Sequence, residues 1–272
     1  MAARKRRGSS ARKAKPARAA LARRRATAPA RNLGRLHGKV AVVTGASRGI
    51  GLAIAAALAA EGCDLVLSGR DGEALGRSAP FLVEAGGIRV VVKRADVRDP
   101  DHVKELFAAV RERFPRIDFL INNAGRSHAT LPVEELPAQA WRETLETNLN
   151  GVFYCTQAAL PLLREGGAIV NLSSVAGPRE NIPGSSAYST SKAGLVAFGN
   201  VLREELRERC IRVITVIAGA TDTDIWKQFW VDAPREKMMS PDAVASAVLG
   251  ALTLPENAVV EELVLTPIAG KL

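Results

Sequence analysis

Tyr188 and Lys192 stand four positions apart in the run Tyr188-Ser189-Thr190-Ser191-Lys192. That spacing puts two side chains one turn apart on the same face of a helix. A free phenol has a pKa of about 10, too high for efficient proton exchange at neutral pH. A cation held alongside favours the phenolate and lowers that pKa. A tyrosine tuned in this way could protonate an alkoxide as hydride arrives at a carbonyl carbon. Taken alone, the pattern equally describes an ordinary pair on a surface helix.

A second constellation lies near the start of the chain, in Thr44-Gly45-Ala46-Ser47-Arg48-Gly49-Ile50-Gly51. It follows an apolar run and precedes a helix-forming stretch. Glycines belong where a backbone turns sharply and lets a pyrophosphate approach, and a helix N-terminus adds N–H donors and positive dipole. The spacing is Gly-x-x-x-Gly-x-Gly rather than the Gly-x-Gly-x-x-Gly dinucleotide fingerprint. A tight turn with no ligand is the plain structural reading. The next apolar run ends Leu67-Ser68-Gly69-Arg70. Dinucleotide sites that take NAD place an acid near this point, and those that take NADP place a cation. Arg48 and Arg70, with no acid at Gly69, favour a 2′-phosphate and hence NADP(H) over NAD(H). Either arginine alone would read as a solvated surface charge.

Positioning these groups requires a regular scaffold, and the chain supplies one. Strand-sized apolar runs occur at Val40–Val43, Leu65–Leu67, Val90–Val92, Phe119–Ile121, Ala168–Leu172, Val213–Ile217 and Leu263–Leu265. Helix-periodic stretches alternate with them, among them Asp101–Arg113, Trp141–Leu163 and Ala187–Arg209. Asp99-Pro100 opens one helix with a cap and a first-turn proline. Alternating strands and helices with buried strands predict an α/β fold: one doubly wound domain, a parallel sheet of about seven strands, helices on both faces.

Charge divides the chain in two. Residues 1–36 hold thirteen of the 38 Lys and Arg and none of the acids, leaving 25 basic against 28 acidic residues beyond them. A basic extension over 1–35, expected to be disordered, therefore precedes a mildly acidic domain over 36–272. A contact with nucleic acid or an anionic membrane, a targeting role, and a nonfunctional extension all remain open for it. No apolar run is long enough to span a bilayer. Cys63, Cys155 and Cys210 show no metal-ligand spacing and read as residues of a reducing, cytoplasmic compartment. His37, His102 and His128 are equally scattered, so no metal site is expected.

Six motifs recur in an order that resembles the short-chain dehydrogenase/reductase family. They are the glycine turn, Asp96-Val97 after the third strand, Asn122-Asn123-Ala124-Gly125 after the fourth, Asn148 in Thr147-Asn148-Leu149-Asn150-Gly151, Ser174 in Asn171-Leu172-Ser173-Ser174-Val175, and Tyr188 with Lys192. The resemblance covers about residues 36–268 and implies a Rossmann-type oxidoreductase that interconverts a carbonyl compound and an alcohol. It implies Tyr188 as general acid or base and Lys192 as the group that holds the nicotinamide ribose and lowers the tyrosine pKa. Ser174 would bind the substrate carbonyl, with Ser173 the other candidate, and Asn148 would hold a water that relays protons to Lys192. Gly45, Ser47, Arg48, Gly49, Ile50, Gly51, Arg70, Asp96, Val97 and Asn123 would meet the cofactor.

Two departures bear on the finer reading. The family often has Pro-Gly after its sixth strand; here the run is Ala218-Gly219-Ala220-Thr221-Asp222-Thr223, with Gly219, Thr221 and Thr223 left to meet the cofactor. The C-terminal Glu261-Glu262-Leu263-Val264-Leu265-Thr266-Pro267 differs from the 3-oxoacyl-ACP reductase branch. A small ketone, aldehyde or hydroxy acid is thus the expected substrate. A 3-oxoacyl-ACP reductase and a non-catalytic NADP-binding regulator are the alternatives. The segment Asp224 to Met239 is expected to flap over the substrate with Ile225, Trp226, Phe229 and Trp230, while Lys227 and Arg235 either attract a carboxylate or face water. The resemblance also implies a homodimer or homotetramer through the long helices.

Overall fold

The computed structural model describes residue 1, residues 34–228 and residues 230–271. The basic extension, up to residue 33, lies outside the described residues apart from Met1, as does Phe229 of the expected flap.

Seven parallel strands form one sheet: β1 Val40–Thr44, β2 Asp64–Gly69, β3 Val90–Arg94, β4 Ile117–Asn122, β5 Leu163–Ser174, β6 Arg212–Ala218 and β7 Glu262–Leu265. Their spatial order is β3-β2-β1-β4-β5-β6-β7. The helices are α1 Gly49–Ala60, α2 Gly72–Gly86, α3 Pro100–Arg113, α4 Ala138–Leu145, α5 Gly151–Ala159, α6 Ser186–Glu205 and α7 Pro241–Leu252. Strand order reverses between β1 and β4, and sheets of this kind bind ligands at the carboxyl ends of the strands around such a switch.

Alternation along β1 shows why helices cover both faces. Ala41 and Val43 pack into one core with Ile54 and Leu58 of α1, Leu75 of α2 and Val248 of α7. Val40 and Val42 pack into the other, with Leu106 and Val110 of α3, Cys155 of α5 and Leu202 of α6. A strand apolar at every position has to be covered twice. The caps follow the local sequence: Asp99 accepts from the N–H of Asp101 at 2.9 Å ahead of α3, and Asp71 from that of Ala74 at 2.9 Å ahead of α2.

One expected helix is shorter than its periodicity suggested. The stretch from Trp141 stops being helical at Ala159, and Leu163 opens β5 by pairing with Ile117. Sheet pairing of a buried leucine outweighs continuation of the helical period there. Between α4 and α5 the backbone widens into a π turn over Glu146–Asn150. Such turns occur mostly as local bulges and are frequent at functional sites. No helix among the described residues is long and apolar enough to cross a membrane.

Asp118 ties the N-terminal ends of the central strands together. Its buried carboxylate accepts from the Val40 N–H at 2.9 Å and pairs with Lys39 and Arg164, each at 3.1 Å. Removing that carboxylate strands the buried Val40 N–H and leaves Lys39 and Arg164, both partly exposed, to water. Asp118→Ala should cost about 2–3 kcal/mol of unfolding free energy, measurable by urea titration against wild type.

Candidate active site

A cavity of about 530 Å³ opens at the carboxyl ends of the strands. Its first wall is the turn between β1 and α1. Gly45 and Gly49 have φ of +64° and +56°, in the left-handed region that favours glycine. A Cβ on Gly45 would lie 2.8 Å from the Ala124 Cα, and one on Gly51 would lie 2.3 Å from the Asn123 Nδ2. Asn123 explains that closeness: its Nδ2 donates to the carbonyls of Thr44 and Gly45, both at 3.0 Å. Gly45, Ser47, Arg48, Gly49 and Ile50 line the cavity, whereas Gly51 does not and serves the packing of α1 on Asn123.

The same end of the cavity is lined by Arg70, Asp96, Val97 and Asn123. Arg48 and Arg70 are exposed. Asp71 follows Arg70 in the chain, and its Oδ1 is committed to the cap of α2. Asp96 lies within reach of Arg98, whose guanidinium donates to it at 2.6 Å. Burial works against its charge, but the Arg98 hydrogen bonds outweigh burial and hold the carboxyl below its usual range.

The other end carries Ser174, Tyr188 and Lys192. Successive positions of a strand face opposite sides, and that alternation separates the two serines. Ser173 is buried and donates to the Lys192 carbonyl at 2.8 Å. Ser174 is half-buried and hydrogen-bonds the Tyr188 phenol. The Lys192 ammonium donates to the Leu172 carbonyl at 2.7 Å and lies 5.6 Å from the centre of the Tyr188 ring. Asn148 sits on the π turn, fully buried. Its Oδ1 accepts from the Arg126 N–H at 2.9 Å, and its Nδ2 donates to the Arg126 carbonyl at 2.9 Å and the Ser191 hydroxyl at 3.0 Å.

The loop after β6 closes the third side. In place of a proline, Thr221 bonds back to the Gly219 carbonyl at 3.0 Å, and the N–H groups of Asp222 and Met239 cross-link the Ala220–Asp222 and Met239 segments. The Gly219 N–H donates to the Leu265 carbonyl at 2.7 Å. Gly219, Thr221 and Thr223 all line the cavity. The flap that follows is two short 3₁₀ turns, Asp224–Gln228 and Arg235–Lys237.

The short chain dehydrogenase family model matches residues 39–233. The chain belongs to that family. It is 35% identical to a 3-oxoacyl-[acyl-carrier-protein] reductase of Synechocystis sp., covering 82% of this chain and 92% of that protein. It is 36% identical to a 3beta-hydroxysteroid dehydrogenase of Mediterraneibacter gnavus, over 74% of this chain and 72% of that one. Among solved structures it is similar to an alcohol dehydrogenase from the archaeon Thermococcus sibiricus, complexed with 5-hydroxy-NADP. That likeness has a TM-score of 0.80 at 35% identity, with 86% of this chain and 98% of the other covered. A short chain dehydrogenase from Burkholderia cenocepacia in complex with NADP gives a TM-score of 0.79 at 33% identity, covering 87% and 99%.

Beside the motifs, the geometry adds three observations. Burial raises the Tyr188 phenol above its ordinary value, and the Ser174 hydrogen bond pulls the other way. Burial also penalises the Lys192 ammonium and brings its pKa down to about 8. Both amide hydrogens of Asn148 are taken up, by the Arg126 carbonyl and the Ser191 hydroxyl, which ties the π turn to the Arg126 backbone and to α6. Lys227 and Arg235 are absent from the cavity wall, and each is paired with an acid, Asp224 at 2.6 Å and Asp222 respectively. The motifs did not flag Ser127, His128, Glu180, Gln228 or Lys271, which also line the cavity. The only available signal was their position on loops at the carboxyl ends of strands or beside them.

Lys192 makes the stability of this dehydrogenase depend on pH. Its folded pKa of about 8 lies below the ordinary 10.5, so between those values the unfolded chain binds more protons. Stability therefore rises with pH in that window, by roughly 2 kcal/mol from about pH 8 to about pH 10. Above that, Tyr188 opposes the trend because its folded pKa is raised. Urea unfolding of cofactor-free protein at the two pH values should show the rise, and Lys192→Met should flatten it.

Proposed function

We propose that the chain reduces a carbonyl compound to an alcohol, or runs the reverse reaction, with a nicotinamide dinucleotide, and prefers NADP(H) to NAD(H). The observation that carries this reading is one cavity with Ser174, Tyr188 and Lys192 at one end and the glycine turn with Arg48 and Arg70 at the other. The turn suits a dinucleotide because the positive φ of Gly45 and Gly49 bends the backbone sharply at the cavity wall, beside the N-terminus of a twelve-residue helix. The two solved relatives named above carry NADP or 5-hydroxy-NADP.

In this reading Ser47, Arg48, Gly49, Ile50 and Thr223 hold the phosphates, and Asp96, Val97 and Asn123 flank the adenosine. Arg70 meets the 2′-phosphate, and Gly219 and Thr221 border the nicotinamide. The bound cofactor supplies or accepts the hydride. Ser174 donates to the substrate oxygen and stabilises its developing charge. Tyr188 transfers a proton to that oxygen in reduction and takes it back in oxidation. Lys192 orients the ribose, and its charge opposes the burial that raises the phenol. Asn148 keeps the Arg126 backbone and α6 in register behind these groups.

A 3-oxoacyl-ACP reductase is the second reading, favoured by the Synechocystis relative of that name. Both readings share the same reacting groups. Assembly of two or four copies through α5 and α6 suits the exposed Phe153 and Val201 on those helices. Three free thiols suit a cytoplasmic location, and the basic extension suits a weak contact with an anionic partner.

The deciding experiment follows NADPH and NADH oxidation over a panel of small ketones, aldehydes and keto acids. Turnover is expected to favour NADPH and to fall by about a hundredfold or more in Tyr188→Phe. Arg70→Ala should lower kcat/KM for NADPH by about tenfold relative to NADH. Cofactor binding with no turnover on any member would move the protein to the regulatory reading.

A further inference from the structure

The loop after Gly125 carries a histidine that the proton-transfer chemistry does not use. His128 is 5% exposed, and its Nδ1 lies 2.7 Å from the Ala129 carbonyl oxygen. A carbonyl only accepts hydrogen bonds, so the proton of the neutral ring sits on Nδ1 and Nε2 is left as an acceptor. Nε2 is buried and has no hydrogen-bond partner among the described residues. Buried acceptors are paired in the great majority of cases, and an orphan calls for a reason.

Its placement supplies one. His128 lines the same cavity as Ser174 and Tyr188. On one side of it the Ser127 N–H donates to the Gln228 Oε1 at 3.1 Å, tying the loop to the Asp224–Gln228 turn. On the other side the Leu131 N–H donates to the Gly184 carbonyl at 3.1 Å, tying it to the segment that leads into α6 and Tyr188. The histidine is thus held between the two elements that flank the reacting end. A molecule whose carbonyl meets Ser174 and Tyr188 shares that cavity with it.

Charge narrows what that molecule can be. Away from the glycine turn, the cations lining the cavity among the described residues are Lys192 and Lys271, and Lys271 lies 3.6 Å from the Glu180 carboxylate. The rest of the wall there mixes apolar Val175, Ile182, Ile225 and Trp226 with neutral polar groups such as Ser127 and Gln228 and with the acids Glu180 and Asp224. A free carboxylate would find little to neutralise it. A neutral hydroxyl would find a bare nitrogen.

We infer that His128 sets substrate specificity by accepting a hydrogen bond at Nε2 from the hydroxyl of an uncharged hydroxy-ketone, or of the corresponding diol in the reverse direction. The inference deepens the carbonyl-reductase reading and rests on it.

The test compares matched probes: butan-2-one with 3-hydroxybutan-2-one, and cyclohexanone with 2-hydroxycyclohexanone, each with NADPH. Wild type should prefer the hydroxylated member by about tenfold or more in kcat/KM. The ratio should fall to near one in His128→Phe, which keeps a ring and removes the acceptor. It should recover in part in His128→Gln, which restores an acceptor. No preference in wild type, or a preference unchanged in His128→Phe, overturns the inference while leaving carbonyl reduction standing. Calorimetric titration of the same ketones into the NADPH-loaded Tyr188→Phe protein, with and without His128→Phe, separates the two claims. Hydroxyl-selective binding that depends on His128 supports the inference even where wild type shows no turnover. Binding that ignores the hydroxyl, or no binding of either member, overturns it.

Discussion

The site depends first on how closely the β1–α1 turn approaches the end of β4. The Thr44 hydroxyl donates to the Ile121 carbonyl at 3.2 Å and accepts from the N–H groups of Asn123 and Ala124, each at 3.1 Å. Asn123 returns two hydrogen bonds to the carbonyls of Thr44 and Gly45. This reciprocal clamp bridges the switch point, where strand order reverses and no crossover helix can stand in the way. It also dictates glycine at positions 45 and 51, since a Cβ at either would meet Asn123 or its neighbour Ala124. A phosphate-binding turn and a cleft in front of it are consequences of one packing contact.

A second constraint acts at the other end of the cleft. Lys192 is an ammonium taken almost wholly out of water, with the Leu172 carbonyl as its hydrogen-bond partner. Ser173, next along β5, holds the Lys192 backbone through its carbonyl. The strand therefore grips α6 with two successive residues, one by a main-chain and one by a side-chain oxygen, and leaves Ser174 for the cavity. Asn148 completes the grip from behind, where the π turn carries its amide against Arg126 and Ser191. The reacting groups are positioned mainly by backbone contacts, which side-chain substitution at the surface cannot easily disturb.

Much of this was legible in the residues themselves. The seven apolar runs matched the seven strands because a sheet covered on both faces leaves no polar alternation to mislead. Asp99-Pro100 marked a helix start because a cap and a first-turn proline act within a few residues. Trp141–Leu163 was harder: its periodicity carried past Ala159, and only the pairing of Leu163 with Ile117 ended the helix. The charges on the flap were ambiguous in sequence. For Lys227 and Arg235 the sequence left open both an attraction for carboxylates and a solvent-facing role, and each is paired with an acid of its own segment, Asp224 and Asp222.

By itself the sequence determined the α/β architecture, the glycine turn, the pairing of Tyr188 with Lys192 on one helix and the family. Each of these depends on spacing within a short stretch, where the period of a helix or a strand decides the geometry. Only the tertiary structure decided that Ser174 hydrogen-bonds the Tyr188 phenol while Ser173 holds the Lys192 carbonyl, that Asn148 is tied to the Arg126 backbone and the Ser191 hydroxyl, and that burial raises the Tyr188 phenol and lowers the Lys192 ammonium. It alone placed His128 at the reacting end with an unpaired nitrogen. Those outcomes depend on which distant segments meet and on how much water they exclude, and neither is encoded in local spacing.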